Sequence, residues 1–325
     1  MIVVDADVLG RNRTGEETYV LNLLRALPQV APDLSFGAVT RHPELVPDGV
    51  EAIALPARSQ ELRMAWSLPR LLRRRGPQLG HFQHALPLGW AGKSVVTLHD
   101  LHFERDPGVM GFVDRLTFKT VVPRAAKRAH HVIAVSERTK RDAIELYGIA
   151  PDKITVTPHG VDPAFTPGDG AHGGYVLFVG AIQARKDPLA AAAAAEAVGL
   201  PLIAAGPEKE SALADALRAR GVDVRGWLEK PELAELYRAA AAFILPSRYE
   251  GFGVPALEAM ASGTPVVVSD DPALREVVGD AAAPNLAAAL ADRERWSRAG
   301  IERARRFSWE ESARVTADVY RRVIG

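Results

Sequence analysis

Residues 246–270, PSRYEGFGVPALEAMASGTPVVVSD, combine residue types and spacing that could do chemistry. A strand pattern (AFILPS) ends, Glu250, Gly251, Phe252 and Gly253 make a turn, and a helix begins near Pro255. Proline suits a first helical turn, because the N–H it lacks is one that a helix start leaves unpaired anyway. Two glycines let the backbone come close to a ligand. The helix start adds free N–H groups and the positive end of its dipole, which together make a site for an anion, most often phosphate. Glu250 lies in the turn and Glu258 about one turn into the helix, so both carboxylates can reach one cleft. A carboxylate beside a phosphate site can accept two hydrogen bonds from a vicinal sugar diol. The plain alternative is a βα turn with two surface glutamates. A glycosidase acid and nucleophile pair is the other, and it fits poorly because plain hydrolysis has no use for a phosphate loop.

A second candidate lies upstream, where SVVTLHD ends a strand at His99 and Asp100. The carboxyl end of a parallel strand is where an α/β sheet presents its ligand-binding groups. A lone histidine is more often structural, but the His-Asp pair favours function. His102 follows closely and could substitute, with Asp100 orienting either ring.

The elements that must hold these residues are legible from end to end. Apolar runs such as IVVDA, SVVTLHD, HVIAVS, YVLFVG, AFILPS and TPVVVSD alternate with helix patterns such as ETYVLNLLRALP, SERTKRDAIELYG and PELAELYRAAA. Strands that are apolar throughout suit parallel sheets covered on both faces. The fold class is therefore α/β, with two doubly wound parallel sheets in tandem and a cleft expected between them. Residues 159–174, HGVDPAFTPGDGAHGG, are dense in Gly and Pro and mark the boundary. The first domain takes 1–165 together with an amphipathic last helix, 308–325; the second takes 166–307.

Composition narrows the function classes. The 325 residues include 40 Lys plus Arg and 40 Asp plus Glu, and no Cys. A zero net charge argues against a partner bound by bulk electrostatics, such as nucleic acid. Without cysteine there is no disulfide, thiolate metal site or Cys nucleophile. The start, MIVVDADVLG, runs straight into a strand pattern with no signal-peptide layout, so the expectation is a cytoplasmic protein.

The 246–270 segment closely resembles the signature of retaining glycosyltransferases of family 4, whose fold is GT-B: two Rossmann-like domains facing across a cleft. Their E-x7-E motif reads here Glu250-GFGVPAL-Glu258. The resemblance implies that Glu258 holds the nucleotide ribose, while Glu250 and the backbone of Gly251, Phe252, Gly253 and Val254 face the donor sugar and distal phosphate. FVGAIQARKDP resembles the family's strand and turn with a basic pair, implying that Arg185 and Lys186 grip the diphosphate. His99 falls where the family places a histidine near the reacting face of the sugar, with Asp100 and His102 on the acceptor side. TPHGVD resembles the interdomain turn, with His159 where Asn is common. RTGEETY keeps Gly15, a donor contact in relatives, but carries Glu16 and Glu17 where they have small or apolar residues. Two carboxylates would repel a diphosphate, so these are expected to point outward or toward an acceptor.

The resemblance implies a hexosyltransferase that moves a sugar from a nucleotide-diphosphate donor of the GDP-mannose or UDP-glucose type. The acceptor would be a hydroxyl on a glycan, a lipid-linked or a small-molecule acceptor. No metal cofactor is expected. A nucleotide-sugar epimerase and an inactive sugar-nucleotide binder are the alternatives. The basic helix pattern SLPRLLRRRG, residues 67–76, could touch anionic lipid at a membrane face, although a solvated helix face is the plainer reading.

Overall fold

The structure is a computed structural model and describes every residue except 12–13, 58, 106–111 and 169–172. Part of the Gly- and Pro-rich boundary, and Arg13 of the RTGEETY segment, therefore lie outside the described residues. The chain forms two compact units, Met1–Gly160 with Ser308–Gly325, and Val161–Phe307.

In the first unit β1 (Ile2–Asp5), α1 (Thr14–Val30), β2 (Phe36–Thr40) and β3 (Glu51–Ala54) come first. A helical stretch follows: α2 (Gln60–Leu62), a π-turn (Arg63–Ser67) and α3 (Leu68–Arg75). The unit continues with β4 (Leu79–Gln83), β5 (Ser94–Leu98), α4 (His102–Arg105), α5 (Phe112–Arg128), β6 (His131–Ala134), α6 (Glu137–Tyr147) and β7 (Ile154–Val156). The strands form one parallel sheet in the order β3-β2-β1-β4-β5-β6-β7. Strand β3 escaped the sequence reading because it is an edge strand with only Ile53 buried, and a single apolar residue carries no pattern.

The second unit contains β8 (Val176–Val179), α7 (Pro188–Ala197), β9 (Leu202–Ala205), α8 (Ser211–Ala219), β10 (Asp223–Arg225), α9 (Lys230–Ala239) and β11 (Ala242–Leu245). Then come α10 (Val254–Ala261), β12 (Val266–Val268), α11 (Pro272–Val278), α12 (Leu286–Ala291) and α13 (Arg293–Ala304). Its parallel sheet runs β10-β9-β8-β11-β12. The last helix, α14 (Trp309–Ile324), belongs to the first unit. One boundary needs correction. Residues 161–165 belong to the second unit, because Val161 N–H donates to Phe307 O at 3.2 Å and Phe165 packs edge-on against Tyr237.

Both sheets reverse direction at one point, between β1 and β4 in the first and between β8 and β11 in the second. Such a switch point splays the two following connections apart and leaves a crevice at the carboxyl ends of the strands. Three of the four strands flanking these points, IVVD, VLFV and AFIL, are buried along their whole length, and β4 is buried except at Gln83. Helix α14 is capped by Ser308, whose side chain accepts from Glu311 N–H. It buries Trp309, Ala313, Ala317 and Tyr320 in one cluster with Tyr19, Leu23 and Leu27 of α1. Burying each large apolar side chain stabilises the unit by about 1.5–3 kcal/mol. Among the described residues, no helix is long and apolar enough to cross a membrane.

Candidate active site

In the second unit the loops leaving β8 and β11 meet at the switch point. After β8 a short 3-10 turn, Ala184–Lys186, ends at Asp187, whose backbone is left-handed (φ +51°) and whose side chain caps α7. This turn aims Arg185 and Lys186 inward, and each is only 8% exposed. Lys186 Nζ lies 2.5 Å from Glu250 Oε1, and Arg185 Nη1 lies 3.7 Å from Glu250 Oε2. Arg185 also donates to Tyr249 O, while its Nε is buried without a partner. Burial pushes the Glu250 carboxyl up, but Lys186 and Arg185 outweigh it and hold Glu250 below its ordinary value. Beneath this cluster Asp271 accepts from Glu250 N–H at 3.3 Å and caps α11 through Ala273 and Leu274.

Gly253 must be glycine. Its φ is +112°, and a Cβ there would sit 2.6 Å from Leu274 Cδ2. That conformation turns the chain sharply into α10, where Ala256 and Leu257 N–H donate back to Gly253 O. Val254 is therefore the first helical residue and Pro255 the second. Phe252, by contrast, is buried against Phe307 with ring centroids 5.9 Å apart, so its side chain serves packing.

Glu258 has different partners from Glu250. It is half-buried and accepts from Tyr237 OH at 3.0 Å. Burial raises its carboxyl to about 8, with Asp162 adding to the rise and the Tyr237 hydrogen bond and Lys230 opposing it. Lys230 itself pairs with Asp162 at 2.5 Å. Tyr237, Asp271, Asp162 and Lys230 were missed by sequence reasoning. Tyr237 sat in plain view in the PELAELYRAA helix pattern, but nothing local marks it as a partner of Glu258.

In the first unit His99 follows β5, and its Nε2 bonds Gln83 Oε1 at 2.9 Å. Burial pulls the His99 ring down to about 4, so it is neutral near pH 7. Asp100 bonds His102 Nδ1 at 2.7 Å, which leaves Gln83 as the hydrogen-bond partner of His99 Nε2. Tyr19 packs edge-on against His99 with centroids 4.8 Å apart, and His159 lies 6.1 Å from His99. His84, which the sequence reading passed over, lies 5.3 Å from His99 with the two rings tilted by 53°. Glu16 Oε1 lies 3.4 Å from His84 Nε2, and Glu17 accepts from Gly10 N–H at 2.7 Å. Gly15 is the second residue of α1, and the position its Cβ would take is open. Although histidines converge here, no group of three or more His, Asp or Glu among the described residues is arranged to hold a metal ion.

Comparison with known proteins agrees with this architecture. Residues 171–304 match the family described as Glycosyl transferases group 1, and residues 13–165 match Glycosyltransferase Family 4. The chain is 29% identical over 268 residues to O-antigen chain mannosyltransferase B of Escherichia coli, covering 70% of each chain. It is 34% identical over 283 residues to the D-inositol 3-phosphate glycosyltransferase of Kribbella flavida, covering 71% of this chain and 66% of that one. The aligned region spans about half to two thirds of the D-inositol 3-phosphate glycosyltransferases it matches. In fold it is similar to sucrose-phosphate synthase from Thermosynechococcus elongatus, with a TM-score of 0.77 at 20% identity over 99% of this chain and 98% of that one. A glycosyltransferase involved in lipopolysaccharide biosynthesis gives 0.72 at 18% identity, over 98% and 99%. Two parallel-sheet α/β units with these neighbours define the GT-B fold. The chain belongs to glycosyltransferase family 4.

Proposed function

We propose that this protein is a retaining glycosyltransferase that moves a hexose from a nucleotide-diphosphate sugar to an acceptor hydroxyl. The observation that carries this is the buried Arg185–Lys186–Glu250 cluster at the switch point of the second sheet, beside the start of α10. Two cations face one carboxylate there, and Arg185 Nε has no partner. Such a site suits a group that becomes more negative as the anomeric bond breaks. Each charge-assisted hydrogen bond to the departing diphosphate contributes about 1.5–3 kcal/mol. In this reading Glu258 takes the ribose hydroxyls, Glu250 orients the donor sugar, and a β-phosphate oxygen receives the acceptor proton on the same face. His99 is neutral, so it serves as a hydrogen-bonding group near the sugar rather than as a cation.

Because the positive charge comes from side chains and the α10 dipole, no divalent ion is needed. Likeness to an O-antigen chain mannosyltransferase supports mannose as the transferred hexose. The test is a panel of donors incubated with EDTA present. Nucleotide diphosphate should appear only when acceptor is added, and the product should keep the anomeric configuration of the donor. Release without acceptor, free interconversion of the donor, or restoration only by Mg²⁺ or Mn²⁺ each counts against the reading.

A membrane-facing surface is a second element of this reading. Leu62, Trp66 and Leu88 are 60%, 66% and 67% exposed, and Leu88 N–H donates to Met64 O, which brings its loop onto the π-turn. Arg70 lies over the Trp66 ring, and Arg73 and Arg74 are exposed on the same stretch. Apolar residues beside arginines suit an anionic lipid surface. The protein should co-sediment with phosphatidylglycerol vesicles in low salt and not with phosphatidylcholine vesicles. Trp66→Ser should abolish that binding; equal binding to both vesicles would refute the contact.

A further inference from the structure

Two groups beside the switch point of the first sheet are not among those the family signature marks. Glu16 opens α1 behind β1, and His84 directly follows β4, so they flank the crevice left by the reversal of strand order. His84 is one of only two non-glycine residues with positive φ among the described residues, at +57°. A side chain held in the left-handed region signals that the surroundings dictate its placement. Here its backbone N–H donates to Thr97 O at 3.0 Å, and its ring Nε2 lies 3.4 Å from Glu16 Oε1. Burial alone would lower His84, but Glu16 and Asp100 outweigh it and hold the ring above its ordinary value, while neighbouring His99 is pushed down. Gln83 Nε2 and His84 Nδ1 are both buried without a partner.

Among the described residues, the neighbouring acidic groups have other partners. Asp7 is paired with Arg11, Arg41 and Arg63, Asp100 with His102, and Glu17 with the Gly10 N–H. The start of α1 would ordinarily attract an anion. Here it carries its own two carboxylates instead.

Building on the functional reading above, we propose that Glu16 and His84 are the acceptor-specificity pair. They take an uncharged polyhydroxyl acceptor through its hydroxyls and turn away a phosphorylated one. A carboxylate and an imidazole N–H offer an acceptor and a donor to neighbouring hydroxyls. The same carboxylate, with Glu17 behind it, meets a phosphate with like charge, which is discrimination by repulsion.

The experiment measures kcat and KM for free hexoses, myo-inositol and the monophosphates of each, with the wild-type protein and with Glu16→Gln. The wild type should use the neutral compounds at least tenfold better in kcat/KM. Glu16→Gln should raise KM for the neutral acceptor and lower it for the monophosphate. Opposite movements distinguish specificity from a structural defect, which would move both KM values the same way. His84→Asn, which tolerates the left-handed backbone, should raise KM for the neutral acceptor and leave nucleotide diphosphate affinity intact. A wild-type preference for monophosphates, or parallel KM changes in Glu16→Gln, overturns the proposal while leaving the glycosyltransferase reading standing. Absence of donor turnover with every acceptor overturns both.

Discussion

Glu250→Ala should lower the stability of the protein by about 3–5 kcal/mol, because it leaves Lys186 and Arg185 buried and uncompensated. Lys186 Nζ sits 2.5 Å from the carboxylate it would lose, and both partners are nearly excluded from water. Breaking one side of such a pair is much costlier than replacing both sides with well-packed apolar groups. The double variant Glu250→Met/Lys186→Met should therefore recover only part of the lost stability, because Arg185 stays buried with Tyr249 O as its acceptor and no carboxylate. Sugar transfer should stay absent in both variants, since the cluster that holds the diphosphate is gone in each. Thermal unfolding reads the difference directly: the single variant should melt roughly 6–20 °C lower. A single variant that melts with the wild type would show that the buried cluster does not exist in solution. Glu250 is thus tied to stability and catalysis together, and measured losses of activity in its variants must be separated by the double substitution.

Glu258 carries the second large effect, and it acts on the nucleotide. If its carboxylate accepts the ribose hydroxyls, Glu258→Ala removes hydrogen bonds worth about 1.5–3 kcal/mol, and affinity for the nucleotide diphosphate should fall roughly 10- to 150-fold. The fold should lose about 1–3 kcal/mol, because the buried Tyr237 hydroxyl is left without its acceptor, while alanine within α10 costs the helix itself nothing. Its raised carboxyl adds a pH signature. In the folded protein Glu258 titrates near 8, so at pH 7 most unliganded molecules carry it protonated. Binding that needs the carboxylate should tighten about tenfold between pH 7 and pH 9. The linked stability moves oppositely. The folded state holds a proton that the unfolded chain releases near the ordinary glutamate value, so this contribution is present at low pH and is lost as pH rises through about 8. Glu258→Gln should bind with an affinity that does not change over that range. Calorimetric titration of both proteins at pH 7 and pH 9 decides it: equal slopes would remove Glu258 from the ribose.

What the sequence by itself determined was local. The continuous apolar runs, the Gly-Phe-Gly turn ahead of Pro255 and the Ser308 cap of the last helix each act within a few residues, so their physics is written in neighbouring letters. The resemblance of the 246–270 segment reached further, and it placed Arg185, Lys186, Glu250, Glu258 and His99 among the candidates. Partnership, however, was decided only by the tertiary structure. Lys186 meets Glu250 across 64 residues because β8 lies beside β11. Gln83 rather than Asp100 holds His99 Nε2 because β4 lies beside β5. His84 reaches Glu16 because β4 also lies beside β1, at the point where the strand order reverses. Strand order is a property of how helices and strands pack over the whole unit, and no spacing along the chain encodes it. The environment that lifts Glu258 and depresses His99 follows from the same packing, since burial is set by what surrounds a side chain and not by its sequence neighbours.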